Sequence, residues 1–134
     1  MTAEEYISQA RYIDKIIEYK MLDLEKWKDQ QGKISSPSYE PHYNANRNIE
    51  APFIRVIENI DRLEREIEEL IRKKMEIFTA IEKLSSVEER LVLRYHFIEH
   101  YSWREIQNLL HMSRTTANRR LTEALEHLEV PDGA

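Results

Sequence analysis

Cysteine is absent from this 134-residue chain. That removes disulfides, thiolate nucleophiles and cysteine-based zinc sites together, and makes an intracellular setting the expectation. Only 2 glycines occur against 34% charged residues, so long helices with few turns are expected. No apolar run approaches the roughly 18 residues of a membrane span, which excludes a membrane partner at this stage. The opening MTAEEYISQA lacks the basic and apolar stretches of a signal peptide, so a cytoplasmic location is expected.

An excess of positive charge is missing as well. The net charge is −5. Residues 1–84 carry 14 Lys+Arg against 17 Asp+Glu, and residues 85–134 carry 6 against 8. Affinity for nucleic acid comes largely from phosphate neutralisation, so a lone module of this composition would bind weakly and gain from dimerisation or a partner already on DNA. The exception is local: Arg114, Arg119 and Arg120 cluster, with no acid until Glu123.

What is present is helical periodicity. Thr2 and Glu5 form a capping box, after which Ala3, Tyr6, Ala10, Ile13, Ile17, Lys20, Leu24 and Trp27 step by three and four to about residue 30. The stretch Gln31 to Asn48, with Gly32, Pro37 and Pro41, then reads as a long loop. A second helix starts near Asn48 to Pro52, where a first-turn proline is tolerated. Its stripe runs Phe53, Val56, Ile60, Leu63, Ile67, Leu70, Lys74, Ile77, Ile81, Leu84, widened by Ile57, Ile71 and Phe78. The economical arrangement is an antiparallel helical hairpin whose extra flank buries against a second copy or against the head. Ile60, Leu63, Ile67, Leu70, Ile77 and Ile81 are the dimer or arm packing residues. Residues 1–84 are thus expected to be an oligomerisation or spacing arm.

Residues 85–130 read as a separate head, with 131–134 as a tail. Ser86 with Glu89 and Ser102 with Glu105 repeat the capping box, and Tyr101 is placed to staple onto Ile106. Leu91, Tyr95 and Ile98, beside Val92 and Leu93, are expected to face the head's core, as are Ile106, Leu109 and Leu110. Ala117, Leu121, Ala124, Leu125 and Leu128 form the last buried stripe. Helix starts at Ser102 and Ser113 lie eleven residues apart, with His111-Met112-Ser113 as the turn between them. A short helix, a tight turn and a longer helix with polar residues on its leading edge make a helix-turn-helix.

On the second helix of that pair Arg114, Thr115, Asn118, Arg119 and Thr122 lie away from the buried stripe. Arginine pairs bidentately with guanine and asparagine with adenine, so Arg114, Thr115, Asn118 and Arg119 are the base-reading candidates. Arg104, Thr116, Arg120 and Thr122 are the phosphate candidates.

The opening LSSVEERLVLRYHF, the supporting helix SWREIQNLL and the run SRTTANRRLTEALEHL resemble region 4 of bacterial sigma factors. The layout of arm then head resembles the phage- and prophage-encoded late-gene transcription activators of the ArpU/RinA type in Gram-positive bacteria. The resemblance implies an all-α fold, DNA binding upstream of a phage or mobile-element operon, activation of transcription, and RNA polymerase as a further partner. In the family pattern the turn carries glycine where this chain has His111, and a histidine can hold the left-handed conformation there at some cost.

Two tempting motifs have plainer explanations. His96-Phe97-Ile98-Glu99-His100 spells H-x-x-E-H, in which two histidines share a helix face and could hold a metal. It falls at the end of a short helix, with too little chain around it for a substrate cleft. Glu64, Glu66, Glu68 and Glu69 lie among Arg62, Arg65, Arg72 and Lys73 and read as a salt-bridged, solvated face. Lys74 in the apolar stripe reads as a register or partner determinant, Trp27 and Trp103 as packing residues. Tyr39 and Tyr43 in the loop carry no assignment.

The expectation is therefore a sequence-specific DNA-binding regulator, homodimeric through its arm, with double-stranded DNA as partner and no catalytic residue, cofactor or metal. A first alternative is an adaptor that grips RNA polymerase or another factor without independent DNA binding. A second is a small terminase-like packaging subunit, which also joins a helix-turn-helix to a helical oligomerisation region.

Overall fold

The first helix, α1 (Ala3–Ser35), begins where the capping box places it. The Thr2 amide donates to Glu5 Oε2 and the Glu5 amide to Thr2 Oγ1, both at 3.1 Å. Its end differs from expectation: the helix passes through Gly32 to Ser35 instead of stopping near residue 30. A single glycine costs about 1 kcal/mol relative to alanine, too little to stop an established helix from propagating. The computed structural model describes residues 1–35 and 50–131, so the rest of the expected loop, with Tyr39 and Tyr43, lies outside the described residues.

The second helix, α2 (Glu50–Glu82), carries Pro52 in its first turn, where the missing N–H removes no intrahelical bond. Three shorter helices follow: α3 (Val87–Leu93), α4 (Trp103–Leu110) and α5 (Arg114–His127). Between α3 and α4 the chain continues as a π-helical segment, Arg94–Ile98. It closes with the Glu99 amide donating to the Arg94 carbonyl and the Tyr101 amide to the Tyr95 carbonyl, each 2.9 Å. His100 leaves it in the left-handed region, φ 57°. Every regular element among the described residues is helical, and none is long and apolar enough to cross a membrane.

The π segment corrects the inward face expected before α4. Ahead of it Val92 and Leu93 are buried and Leu91 is half-buried; its wider turn shifts the helical phase, so Phe97 joins Ile98 inside while Tyr95 is half-buried. Tyr101 brings its ring to 5.6 Å from that of Tyr95. On α4 Ile106 is fully buried, but Leu109 is half exposed. The α5 stripe of Ala117, Leu121, Ala124 and Leu128 is buried, with Leu125 at its edge.

The chain divides into two compact units, Met1–Asp14 with Arg72–Ala134, and Lys15–Ile71. This division departs from an arm of 1–84 and a head of 85–130, because the ends of both long helices belong to the first unit. In that unit Ile7, Ile77, Ile81, Val92, Leu93 and Ile106 are wholly withdrawn from water, each stabilising by roughly 1.5–3 kcal/mol. Lys74, expected to set register, binds Asp14 there with Nζ 2.5 Å from Oδ1. Among the described residues of Lys15–Ile71 the buried side chains are Val56, Ile60, Leu63 and Ile67 of α2. Lys20–Glu66 (2.6 Å) and Lys28–Glu64 (3.8 Å) bridge α1 and α2 in this unit, which gives the acidic run its solvated, ion-paired role.

Five of the six residues expected to pack the dimer or arm (Ile60, Leu63, Ile67, Ile77 and Ile81) are buried within the single chain, and Leu70 is half-buried. They pack the chain itself and are not free for a partner. Ile71, expected on the widened flank, is exposed.

Candidate nucleic-acid interface

The α4–turn–α5 segment is built by its caps. Ser102 holds extended backbone and its Oγ accepts the Glu105 amide at 3.2 Å, starting α4. His111 ends it in the left-handed conformation, φ 53° and ψ 46°, the position where glycine is more usual. With that residue turned, the His111 and Met112 amides both donate to the Gln107 carbonyl. Two residues later Ser113 caps α5: its Oγ accepts the Thr116 amide at 3.2 Å and donates to Thr116 Oγ1 at 3.0 Å. The connection is three residues long, as the serine spacing required.

The eight residues picked out for DNA contact fall into three groups. Arg114, Thr115, Asn118 and Arg119 are all exposed on α5, and Arg104 is exposed on α4. Among the described residues no carboxylate pairs with Arg104, Arg114 or Arg119. Thr116 and Thr122 spend their hydroxyls inside the helix, Thr116 on the cap and Thr122 as a donor to the Asn118 carbonyl at 3.1 Å. Arg120 is the third case. Its Nη1 donates to Glu123 Oε2 at 3.2 Å, and its Nε lies 2.9 Å from Glu88 Oε2 of α3, off the line of the N–H. The charge expected to meet phosphate is already met by two acids.

A second tie between α3 and α5 escaped the sequence. Glu89 was expected to complete a capping box with Ser86, and half of it forms: Ser86 Oγ accepts the Glu89 amide at 3.3 Å. The Glu89 carboxylate instead lies 2.7 Å from Nδ1 of His127. An acid at the third helical position announces a box, and no local pattern announces a partner on another helix.

The H-x-x-E-H stretch runs through the π segment to the left-handed His100. His96 is half-buried, stacked on Trp103 at 4.9 Å and edge-on to Phe97 at 4.7 Å. Burial, then the positive charge of Arg11, pushes its pKa below the ordinary histidine value. His100, beyond the π segment, accepts from Arg11 Nε at 3.5 Å. Both rings thus lie near Arg11 of α1, which acts on His96 through its charge and on His100 through a hydrogen bond.

The chain belongs to the family described as DUF1492, a protein of unknown function, whose model matches residues 33–129 and so takes in α2 to α5. No curated protein and no solved structure matches it.

Proposed function

We propose that this chain is a sequence-specific DNA-binding transcription regulator. In this reading α4 and α5 form a helix-turn-helix, α5 enters a major groove, and α1 with α2 makes an antiparallel hairpin that carries the head. The observation that carries the reading is the exposed face of α5. Arg114 and Arg119 stand there with Asn118, unneutralised among the described residues, directly after a three-residue turn. Those side chains are the ones that recognise guanine and adenine edges. The resemblance to sigma region 4 and to phage late-gene activators of the ArpU/RinA type extends the proposal to a promoter-proximal site and to contact with RNA polymerase. Exposed Tyr19, Met21 and Leu22 on α1 support a homodimeric arm.

The net charge of −5 and the neutralisation of Arg120 favour a second reading. In it the head is an adaptor for polymerase or another factor, with no DNA affinity of its own. Selection of bound duplexes from a random library at about 0.1 M salt separates the two, because salt sets the non-specific background. A motif enriched by the full chain and lost in the Arg114→Ala/Arg119→Ala double variant is the expected result. A folded protein that enriches nothing sinks the DNA reading and favours the adaptor.

A further inference from the structure

The first turn of α3 holds α5 at two points. Glu89 is 5% exposed, and its Oε1 meets His127 Nδ1 at 2.7 Å. Glu88 beside it reaches Arg120, with Oε2 2.9 Å from Nε. Arg120 and His127 are seven residues apart, two turns of α5, and so lie one above the other on a single flank. Thr115, Asn118 and Arg119 point elsewhere on the same helix and are exposed.

Taking the Glu89 carboxylate out of water is costly even with its partner His127 62% exposed, and a tie to a withdrawn charge often adds no net stability over well-packed apolar side chains of similar volume. It adds direction instead. An oxygen and a ring nitrogen at hydrogen-bond distance are satisfied over a narrow range of orientations, whereas apolar side chains of the right size tolerate repacking. The Glu89–His127 tie supplies such a directional restraint, and the Glu88–Arg120 ion pair two turns away adds an attraction on the same flank, which together restrain α5 against rolling and sliding. Glu89 has a local use available in the box with Ser86, yet its carboxylate is committed to a residue 38 positions away.

We infer that Glu89 with His127, and Glu88 with Arg120, set the roll and register of α5. They are thereby positioning residues that govern how well Arg114, Asn118 and Arg119 discriminate between DNA sequences. The inference rests on the DNA-reading proposal above. It separates two properties that are usually lost together: the ties contribute little to folding and much to discrimination.

The test uses the full chain and a selected duplex competed against mixed-sequence DNA. The variants are Glu89→Met with His127→Leu, Glu89→Gln, and Glu88→Gln. The apolar double variant is expected to melt no lower than the unmodified protein and to bind mixed-sequence DNA as before. Its preference for the selected duplex should fall on the order of tenfold, within the range for coupled neighbours. Glu89→Gln keeps an oxygen acceptor for His127 and should recover most of that preference. Glu88→Gln changes a side chain 49% exposed, so folding is not at stake, and it should lower preference by a smaller factor. Unchanged preference in the folded double variant overturns the inference and leaves the DNA reading standing. Should that variant not fold, unchanged preference in Glu88→Gln overturns it equally. If the unmodified protein selects no duplex, the DNA reading fails and takes the inference with it.

Discussion

Lys15–Ile71 and the unit formed by Met1–Asp14 with Arg72–Ala134 draw on the same two long helices, yet their interiors differ. Among the described residues of Lys15–Ile71 the buried side chains all come from α2, while α1 offers half-buried Ile17, Leu24 and Trp27 and puts Lys20 in its apolar stripe. In the other unit three further helices are present. There Ile7, Leu93 and Ile106 are completely buried, and even a carboxylate, Glu89, is withdrawn from water. Two helices cover each other along one face only, and the edges of that face stay wet, where ion pairs are tolerated. Additional helices close the edges, and a polar group enclosed there must then bring its own partner.

The strongest way to break this contrast is to remove the same kind of side chain from each region. Leu93→Ala is expected to cost about 2–5 kcal/mol in urea denaturation. Leu24→Ala, at a half-buried site, should cost well under half of that. Equal losses would erase the distinction. Next in size, Arg114→Ala and Arg119→Ala should each weaken binding to a selected duplex by about 1–3 kcal/mol and relax specificity at defined positions. Their melting temperatures should stay unchanged, since both side chains are exposed and unpaired among the described residues. A drop in melting temperature would move these arginines from the interface into the packing.

Smaller effects sharpen the comparison. Ser113→Ala removes the α5 cap and should lower stability by about 1 kcal/mol, visible in thermal melts. Acid should act on the two regions in different ranges. Burial holds His96 below the ordinary histidine value, so the unfolded chain takes the proton first, and stability falls as the pH drops below about 6.5. A His96→Gln variant should lose that limb in urea midpoints compared at about pH 7 and 5.5. Glu66 lies below the ordinary carboxylate value, first through its hydrogen bond to Lys20. Its contribution is present above about pH 4.5 and disappears as the pH falls through the lowered value. Lys20 is raised by the same bond, so its share is complete below about pH 10.5 and is lost only as the pH climbs through the raised value. Glu66→Gln should flatten the acid limb of Lys15–Ile71 alone, and a response that also removes the His96 limb would contradict the separation.

Much of the candidate interface was legible because its signals are local. Serines at positions 86, 102 and 113 each had only to find an amide three residues ahead, and all three do. The left-handed residue between α4 and α5 is His111, at the position where the resemblance to sigma region 4 implies glycine. Exposure of Arg114, Asn118 and Arg119 followed from helical spacing against Ala117, Leu121 and Ala124. The pairing of Arg120 was legible only in part. Glu123 lies three residues on, but the acid that meets it across the fold, Glu88, lies 32 residues earlier.

What the chain's own order of residues decided is therefore where helices begin, where the tight turn falls and which face of each helix is apolar. Those outcomes depend on backbone amides, caps and side-chain period within a few residues. Only the tertiary structure decided that Glu89 would leave its capping box for His127, that Glu88 would join Glu123 on Arg120, and that Leu109 would stay in water while Phe97 went inside. These outcomes depend on which helices meet and, for Phe97, on the phase shift at Arg94–Ile98. No pattern within a single helix contains that information, because the energy of burying a group is set by what covers it.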